Sequence, residues 1–318
     1  MSKIHNSFRE DVIKGLTSFP KSLPSKYIYD KNGDKLFQNI MAMPEYYLTN
    51  CEFEILNRHK LAICKAFAKD GDFDLIELGA GDGKKTKILL KELIEQNSDF
   101  SYLPIDISKS VLEVLADSIS VEIPKVKIET KQGTYFEVLS ELDQYRHRKK
   151  VILFLGSNIG NLLHENAIKF LKAIRKNMHD NDMLFIGFDQ KKNPQTILDA
   201  YDDQSGITER FNKNLLLRIN KTFIADFNPD HFLHWETYNP ETGTAMSYLV
   251  SKIEQKVEIK GLSLHVDFKA WETIHIEISQ KYDEEIIEWL AKESGLKVYS
   301  SYTDTQSYFK NYVFVKNA

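Results

Sequence analysis

The chain has 318 residues, a formal net charge of −4, 42% hydrophobic and 28% charged residues. That length suits about two domains with ample apolar material for a core, and the acidic balance argues against a broad nucleic-acid-binding surface. Two cysteines, Cys51 and Cys64, sit in no CxxC pair and near no histidine cluster, so neither a disulfide framework nor a zinc site is expected, and a reducing cytoplasm fits.

The opening "MSKIHNSFREDVIKGL" has no apolar h-region, so a secretory leader is not expected. No stretch approaches the roughly 18 apolar residues of a membrane span. Residues 8–17 read as a short amphipathic helix. "PKSLPSKYIYDKNGD" (20–34) is a Pro-punctuated, Tyr-rich connection. A helix around 33–42, "MPEYYLTN" (43–50) and a longer helix at about 51–68 follow.

Strands and helices then alternate. "FDLIELG" (73–79), "SYLPID" (101–106), "KVKIETK" (125–131), "KVILFLG" (150–156) and "DMLFIGFD" (182–189) read as strands. Helices are predicted at 84–96, at 108–119 with Ser108 as its cap, and at 165–178. The basic run "RHRKK" (146–150) reads as a solvated loop or a small anion-binding patch. The alternating order predicts an open, mostly parallel sheet.

After Asp189 the pattern changes. Helices are predicted at 194–203 and 207–221. "MSYLVSKIEQKVEI" (246–259), "LSLHVDF" (262–268) and "ETIHIEISQKY" (272–282) read as long antiparallel strands. A helix at 283–294 and strands at 296–302 and 311–316 return to the α/β pattern. An insertion of roughly 90 residues thus interrupts a nucleotide-type domain.

Several local patterns carry chemistry. In "LIELGAGDGKKTK" (75–87) a buried strand bears Glu77, then Gly79-x-Gly81-x-Gly83, then a helix. Glycines there permit a tight turn and close backbone approach to a ligand. Asp106, at the end of the next strand, is placed to bind ribose hydroxyls. A GxGxG loop after an acidic strand end resembles the S-adenosylmethionine site of class I methyltransferases; the bland alternative is a Gly-rich turn. "FLGSNIGN" (154–161) puts Asn158 and Asn161 beyond a strand's carboxyl end, where doubly wound sheets bind ligands. The Asn/Asp-Pro-Pro-aromatic signature of amino-group DNA methyltransferases is missing there.

In "IHIEIS" (274–279) isoleucines alternate with His275, Glu277 and Ser279. The period gives a half-buried strand, whose polar face looks at water or at a substrate. Asp202 and Asp203 read as a solvated face or a local cap. Tyr46 and Tyr47 read as packing aromatics when taken alone. His231 and His234 have no convincing third ligand, so no metal is expected.

Taken in order, "PKSLPSKYIYD", "MPEYYLTN", "ELGAGDGKKT", "YLPIDIS", "FLGSNIGN", "AYDDQSGITERFNKN" and "IEISQKY" resemble one family. It is the S-adenosylmethionine-dependent L-histidine Nα-methyltransferases of ergothioneine biosynthesis, with their amino-acid methyltransferase relatives. The resemblance runs from about Asp11 to Lys316. It implies an α/β fold: a class I (Rossmann-like) methyltransferase domain, 51–190 plus 282–318, with an inserted α+β substrate-binding domain, 8–50 plus 191–281.

The resemblance further implies that S-adenosylmethionine contacts Tyr29, Gly79, Lys85, Asp106, Thr134 and Tyr135. It implies that Tyr46, Asn161 and Tyr201 contact the amino acid, Tyr46 and Asn161 serving catalysis, while Glu277 and Ser279 read its side chain. An imidazole offers an N–H for Glu277 and an acceptor for Ser279. Proton loss to solvent or through a bound water is expected. Thr134-Tyr135 stands where the family usually has Asp-aromatic, Asn158 where Thr or Ser is common, and Ser247 where the histidine enzymes often have Met.

The expected activity is therefore methylation of the α-amino group of a free amino acid, L-histidine first, to the trimethylated product hercynine. The rivals are the same chemistry on tryptophan or a derivative, and a non-catalytic binding protein of the same fold. The expected partner is a small-molecule amino acid, with no nucleic acid and no membrane, and a monomer is favoured.

Overall fold

A computed structural model of the chain describes residues 3–133 and 148–317. Thr134, Tyr135 and part of the basic run at 146–150 lie outside the described residues.

In chain order the elements begin with α1 (Lys3–Thr17), β1 (Lys21–Ser22) and α2 (Lys31–Met41), then α3 (Tyr47–Phe67), β2 (Phe73–Leu78) and α4 (Lys84–Glu95). Next come β3 (Phe100–Asp106), α5 (Lys109–Glu122), β4 (Lys127–Ile128), β5 (Lys131–Gln132), β6 (Lys149–Phe154), α6 (His164–Lys176) and β7 (Met183–Asp189). Then follow α7 (Pro194–Tyr201), α8 (Ile207–Phe223), β8 (Phe232–Asn239), β9 (Thr244–Ser251), β10 (Gln255–Ile259), β11 (Leu264–Phe268) and β12 (Thr273–Gln280). The chain closes with α9 (Glu284–Glu293), β13 (Leu296–Thr303) and β14 (Phe309–Lys316).

These elements form two units: 48–191 with 280–318, and 1–47 with 192–279. The first is built on a sheet of order β13-β14-β7-β6-β2-β3-β4, with β5 also paired to β3. The pairs from β7 through β6 and β2 to β3 are parallel, and β14 runs antiparallel between β7 and β13. Helices cover both faces, which is why β2 has no exposed residue. Ile76, Leu78, Ile152 and Phe154 pack with Phe170 and Ile174 of α6 and Leu290 of α9. Their neighbours Leu75, Val151 and Leu153 pack on the other side with Phe67 of α3, Leu89 of α4 and Leu115 of α5. Strand order reverses between β2 and β6, so the loops after these two strands flank the switch point of a doubly wound sheet. The open, mostly parallel sheet expected from the alternating elements is the one observed, and it fits the Rossmann-like class that the resemblance implies.

The second unit is α+β. Its sheet has the order β1-β12-β9-β8, beside a separate β10-β11 hairpin. α1 and α8 supply Phe8, Val12, Phe211, Leu215 and Ile219 to a core shared with Phe232, Leu249, Ile274 and Ile276.

Two strand expectations need correction. The strand expected at 125–131 is only the two-residue β4 and β5. It lies at the sheet edge, where Lys127, Glu129 and Lys131 offer nothing to bury. The long strand expected at 246–259 breaks after Ser251, whose backbone N–H bonds Glu272 O while Lys252 N–H bonds His231 O. The remainder forms β10. β8 was not anticipated, because its polarity is inverted: Phe232, His234 and Glu236 are buried while Leu233, Trp235 and Thr237 are exposed.

Candidate active site

In the doubly wound unit, the GxGxG loop turns through three left-handed glycines, with φ of 75° at Gly79, 55° at Gly81 and 63° at Gly83. Gly79 and Ala80 hydrogen-bond back to Ile105 O, at 2.8 and 3.2 Å. Gly81 N–H donates to Asp106 Oδ2 at 3.2 Å, and Ser108 N–H to Oδ1 at 2.9 Å. Asp106 is thereby fixed at the end of β3 with lone pairs to spare, since a carboxylate has about four acceptor sites. A Cβ on Gly81 would meet no atom of the described residues within 4 Å. Space therefore opens above the one glycine that Asp106 holds. One on Gly83 would strike Leu115 Cδ1 at 2.3 Å, so that glycine serves helix packing. This arrangement suits a ribose and a backbone-hugging ligand.

Glu77 lies buried beneath the loop, accepting hydrogen bonds from Thr86 Oγ1 at 2.5 Å and from the Tyr102 hydroxyl. Burial pushes its carboxyl up to about 7, against the pull of those two donors. The predicted cofactor residue Lys85 bonds Glu52 Oε2 through Nζ at 2.6 Å. Glu52 was not anticipated. It is fully buried, and it also receives Gly156 N–H at 2.8 Å and Asn311 Nδ2 at 2.8 Å. A signal existed, because Glu52 sits four residues from both Leu48 and Leu56, which are buried on the same face of α3.

After β6 the chain turns through Gly156 and Ser157, at φ 74° and 56°, into a short 3-10 turn over Asn158–Asn161. Asp189 N–H donates to Ser157 Oγ at 3.0 Å, and the Tyr282 hydroxyl to Ile159 O at 3.2 Å. Asp189 in turn pairs with Lys281 at 2.8 Å, both side chains fully buried. Asn161 is exposed at the end of this anchored turn.

In the α+β unit, four predicted residues come together. The Tyr201 hydroxyl lies 2.7 Å from Ser279 Oγ, and the Tyr201 ring meets that of Tyr46 edge-on at 6.1 Å. Phe37 links Tyr46 to Tyr29, with centroids 6.4 and 5.5 Å apart. Asn214 and Arg218 of α8 hold the Tyr29 segment, donating to Ile28 O at 3.0 Å and to Tyr27 O and Tyr29 O at 2.9 and 3.0 Å. Sequence reading missed both. Glu277 is half-buried on the same alternation of β12 as Ser279. His275 shares that alternation and rests against Tyr248 at 5.4 Å.

The weaker candidates resolve simply. Asp203 caps the start of α8, accepting from Ile207 N–H at 2.9 Å and Thr208 N–H at 2.8 Å. Burial opposes ionisation, but these bonds and one from Ser205 hold its carboxyl down at about 2. His234 donates from Nε2 to Tyr201 O at 3.0 Å and accepts from Asn212 at Nδ1, 3.3 Å away, so neither ring nitrogen is open to a metal. Among the described residues no group of three or more His, Cys, Asp or Glu is placed to hold a metal, and no helix is long and apolar enough to cross a membrane.

Comparison with known proteins matches residues 8–316 to the family described as histidine-specific, SAM-dependent methyltransferase. The chain is 36% identical to the histidine N-alpha-methyltransferase of Mycobacterium tuberculosis, covering 94% of this chain and 92% of that protein. The protein of the same name from Mycolicibacterium smegmatis is 34% identical, over 94% and 91% of the two chains. Ergothioneine biosynthesis protein 1 of Schizosaccharomyces pombe is 31% identical over 99% of this chain and 42% of its own length. The chain belongs to the family of histidine-specific, S-adenosylmethionine-dependent methyltransferases.

Proposed function

We propose that this enzyme methylates the α-amino group of free L-histidine, three times, to give hercynine. The observation that carries this reading is the Tyr201–Ser279 pair with Tyr46 beside it, Ser279 lying on a strand whose polar alternation also bears Glu277. Such a set can hydrogen-bond an imidazole and a carboxylate at once.

Roles follow from side-chain chemistry. Glu277 accepts the imidazole N–H, and Ser279, oriented by Tyr201, serves the other ring nitrogen. Tyr46 and Asn161 orient the amine and carboxylate. S-adenosylmethionine supplies a sulfonium-activated methyl group, so no covalent enzyme nucleophile is required. The enzyme's task is to hold a neutral amine in line at near-attack distance. Asp106 takes the ribose, the Gly79–Gly83 turn the backbone-hugging part, and Lys85 and Tyr29 further contacts; Thr134 and Tyr135 are assigned to the same ligand by resemblance. The doubly wound unit is thus the donor-binding domain and the α+β unit the substrate domain. The rings of Tyr29, Phe37, Tyr46 and Tyr201 suit a growing quaternary ammonium, which aromatic faces attract.

The test is to incubate the protein with S-adenosylmethionine and each amino acid separately and to follow product mass. A gain of three methyl groups on histidine is expected. Methylation of a different amino acid would replace the substrate, and no methylation of any would leave the binding-protein reading. Glu277→Ala should raise KM for histidine at least tenfold, the scale of one charge-assisted hydrogen bond. An unchanged KM would remove Glu277 from the side-chain site.

A further inference from the structure

The Glu52 carboxylate is out of reach of any ligand, yet it organises three segments of the donor-binding unit. Its two oxygens receive Lys85 from α4, the Gly156 N–H after β6 and Asn311 from β14, all at 2.6 to 2.8 Å. Space is reserved for it: a Cβ on Gly187 of β7 would come within 2.5 Å of Glu52 Oε1. Glu52 is fully buried, whereas the side chain of Lys85 keeps 19% of its surface exposed.

An ammonium has three donors. The bond to Glu52 uses one and leaves the others free to turn outward. The position a Cβ would take on Gly156 lies 3.7 Å from Lys85 Nζ and 3.8 Å from Asn158 Nδ2. Two nitrogen donors therefore converge on the side of the turn where Gly156 lacks a side chain.

We propose that Glu52 is a positioning residue. It aims Lys85 and braces the Gly156 turn, so that Lys85 and Asn158 receive the α-carboxylate of S-adenosylmethionine. The proposal rests on the reading of Lys85 as a cofactor contact. Glu52 touches no ligand atom. Without its charge the ammonium is free to swing to solvent, and the donor pair loses its preorganisation.

The consequence is selective for one end of the ligand. S-adenosylhomocysteine carries the amino-acid carboxylate, whereas 5′-methylthioadenosine lacks it. Glu52→Gln should weaken S-adenosylhomocysteine about tenfold by calorimetry and leave 5′-methylthioadenosine within about twofold. In turnover, KM for S-adenosylmethionine should rise while kcat changes much less. Glu52→Asp, which keeps the charge but shortens its reach, should give a smaller loss with the same selectivity, and it stands in if the Gln variant does not fold. Glu52→Gln/Lys85→Met should be no worse than Lys85→Met alone. Equal weakening of both ligands, or no change in either, would overturn the proposal. If Lys85→Met binds S-adenosylhomocysteine as the parent does, the underlying cofactor reading of Lys85 has failed instead.

Discussion

Glu77 is a buried acid that forms no ion pair among the described residues, and its titration has a measurable consequence. Burial raises its carboxyl from the ordinary 4.5 to about 7, so the folded chain binds that proton more tightly than the unfolded one. Its favourable contribution is complete below pH 4.5, fades as pH rises, and is lost above about 7. A shift of this size corresponds to about 3 kcal/mol. Gln resembles the protonated form and cannot ionise. Glu77→Gln should therefore gain stability relative to the parent between pH 5 and pH 8, in parallel denaturant titrations. A difference that stays flat across that range would mean Glu77 is ionised throughout.

The GxGxG turn shows how one short element divides its labour. Gly81 and Gly83 both have positive φ, so alanine strains either by about 1 kcal/mol. Only at Gly83 does the added Cβ collide with Leu115, which adds roughly 1–3 kcal/mol of overpacking. Gly83→Ala should therefore lower the Tm clearly more than Gly81→Ala. Gly81→Ala should instead raise KM for S-adenosylmethionine, because its Cβ enters open space beside Asp106. The reverse ranking in stability would show that the loop packs differently. This turn was legible in the sequence because strand, glycines and helix are contiguous. So was β6, whose unbroken apolar run from Val151 to Phe154 reflects burial on both faces. β8 was not: its buried His234 and Glu236 are satisfied by Asn212, Tyr201 and Ser247, partners 11 to 33 positions away on other elements. The spacing of Glu52 marks its buried face, but its partners were hidden, since Lys85, Gly156 and Asn311 lie 33 to 259 positions away. Resemblance supplied Tyr46, Tyr201 and Ser279 as a set, and folding brings their side chains together; alternation alone said only that Glu277 and Ser279 share a face.

At the scale of the whole molecule, each unit is assembled from two stretches of chain, and the N-terminal stretch belongs to the α+β unit. Phe8, Val12, Leu16 and Leu23 are all buried in that unit's core, and β1 pairs in parallel with β12, Lys21 opposite Ile274 and Ser22 opposite His275. Each fully buried apolar side chain contributes roughly 1.5–3 kcal/mol. Losing four removes about 6–12 kcal/mol, comparable to the entire stability of an ordinary domain, about 5–15 kcal/mol. Deleting residues 1–24 should therefore unfold the α+β unit although about four-fifths of its chain remains. The doubly wound unit draws none of its strands from that stretch. Limited trypsin digestion followed by peptide mass mapping separates the two. Cleavage should appear rapidly throughout 192–279 in the truncated protein, while Lys149 and Lys150 of β6 and the lysines and arginines of the helices packed on the parallel sheet stay protected. Equal protection of 192–279 in truncated and full-length chains would show that α8 and the antiparallel strands hold together without the N-terminal stretch.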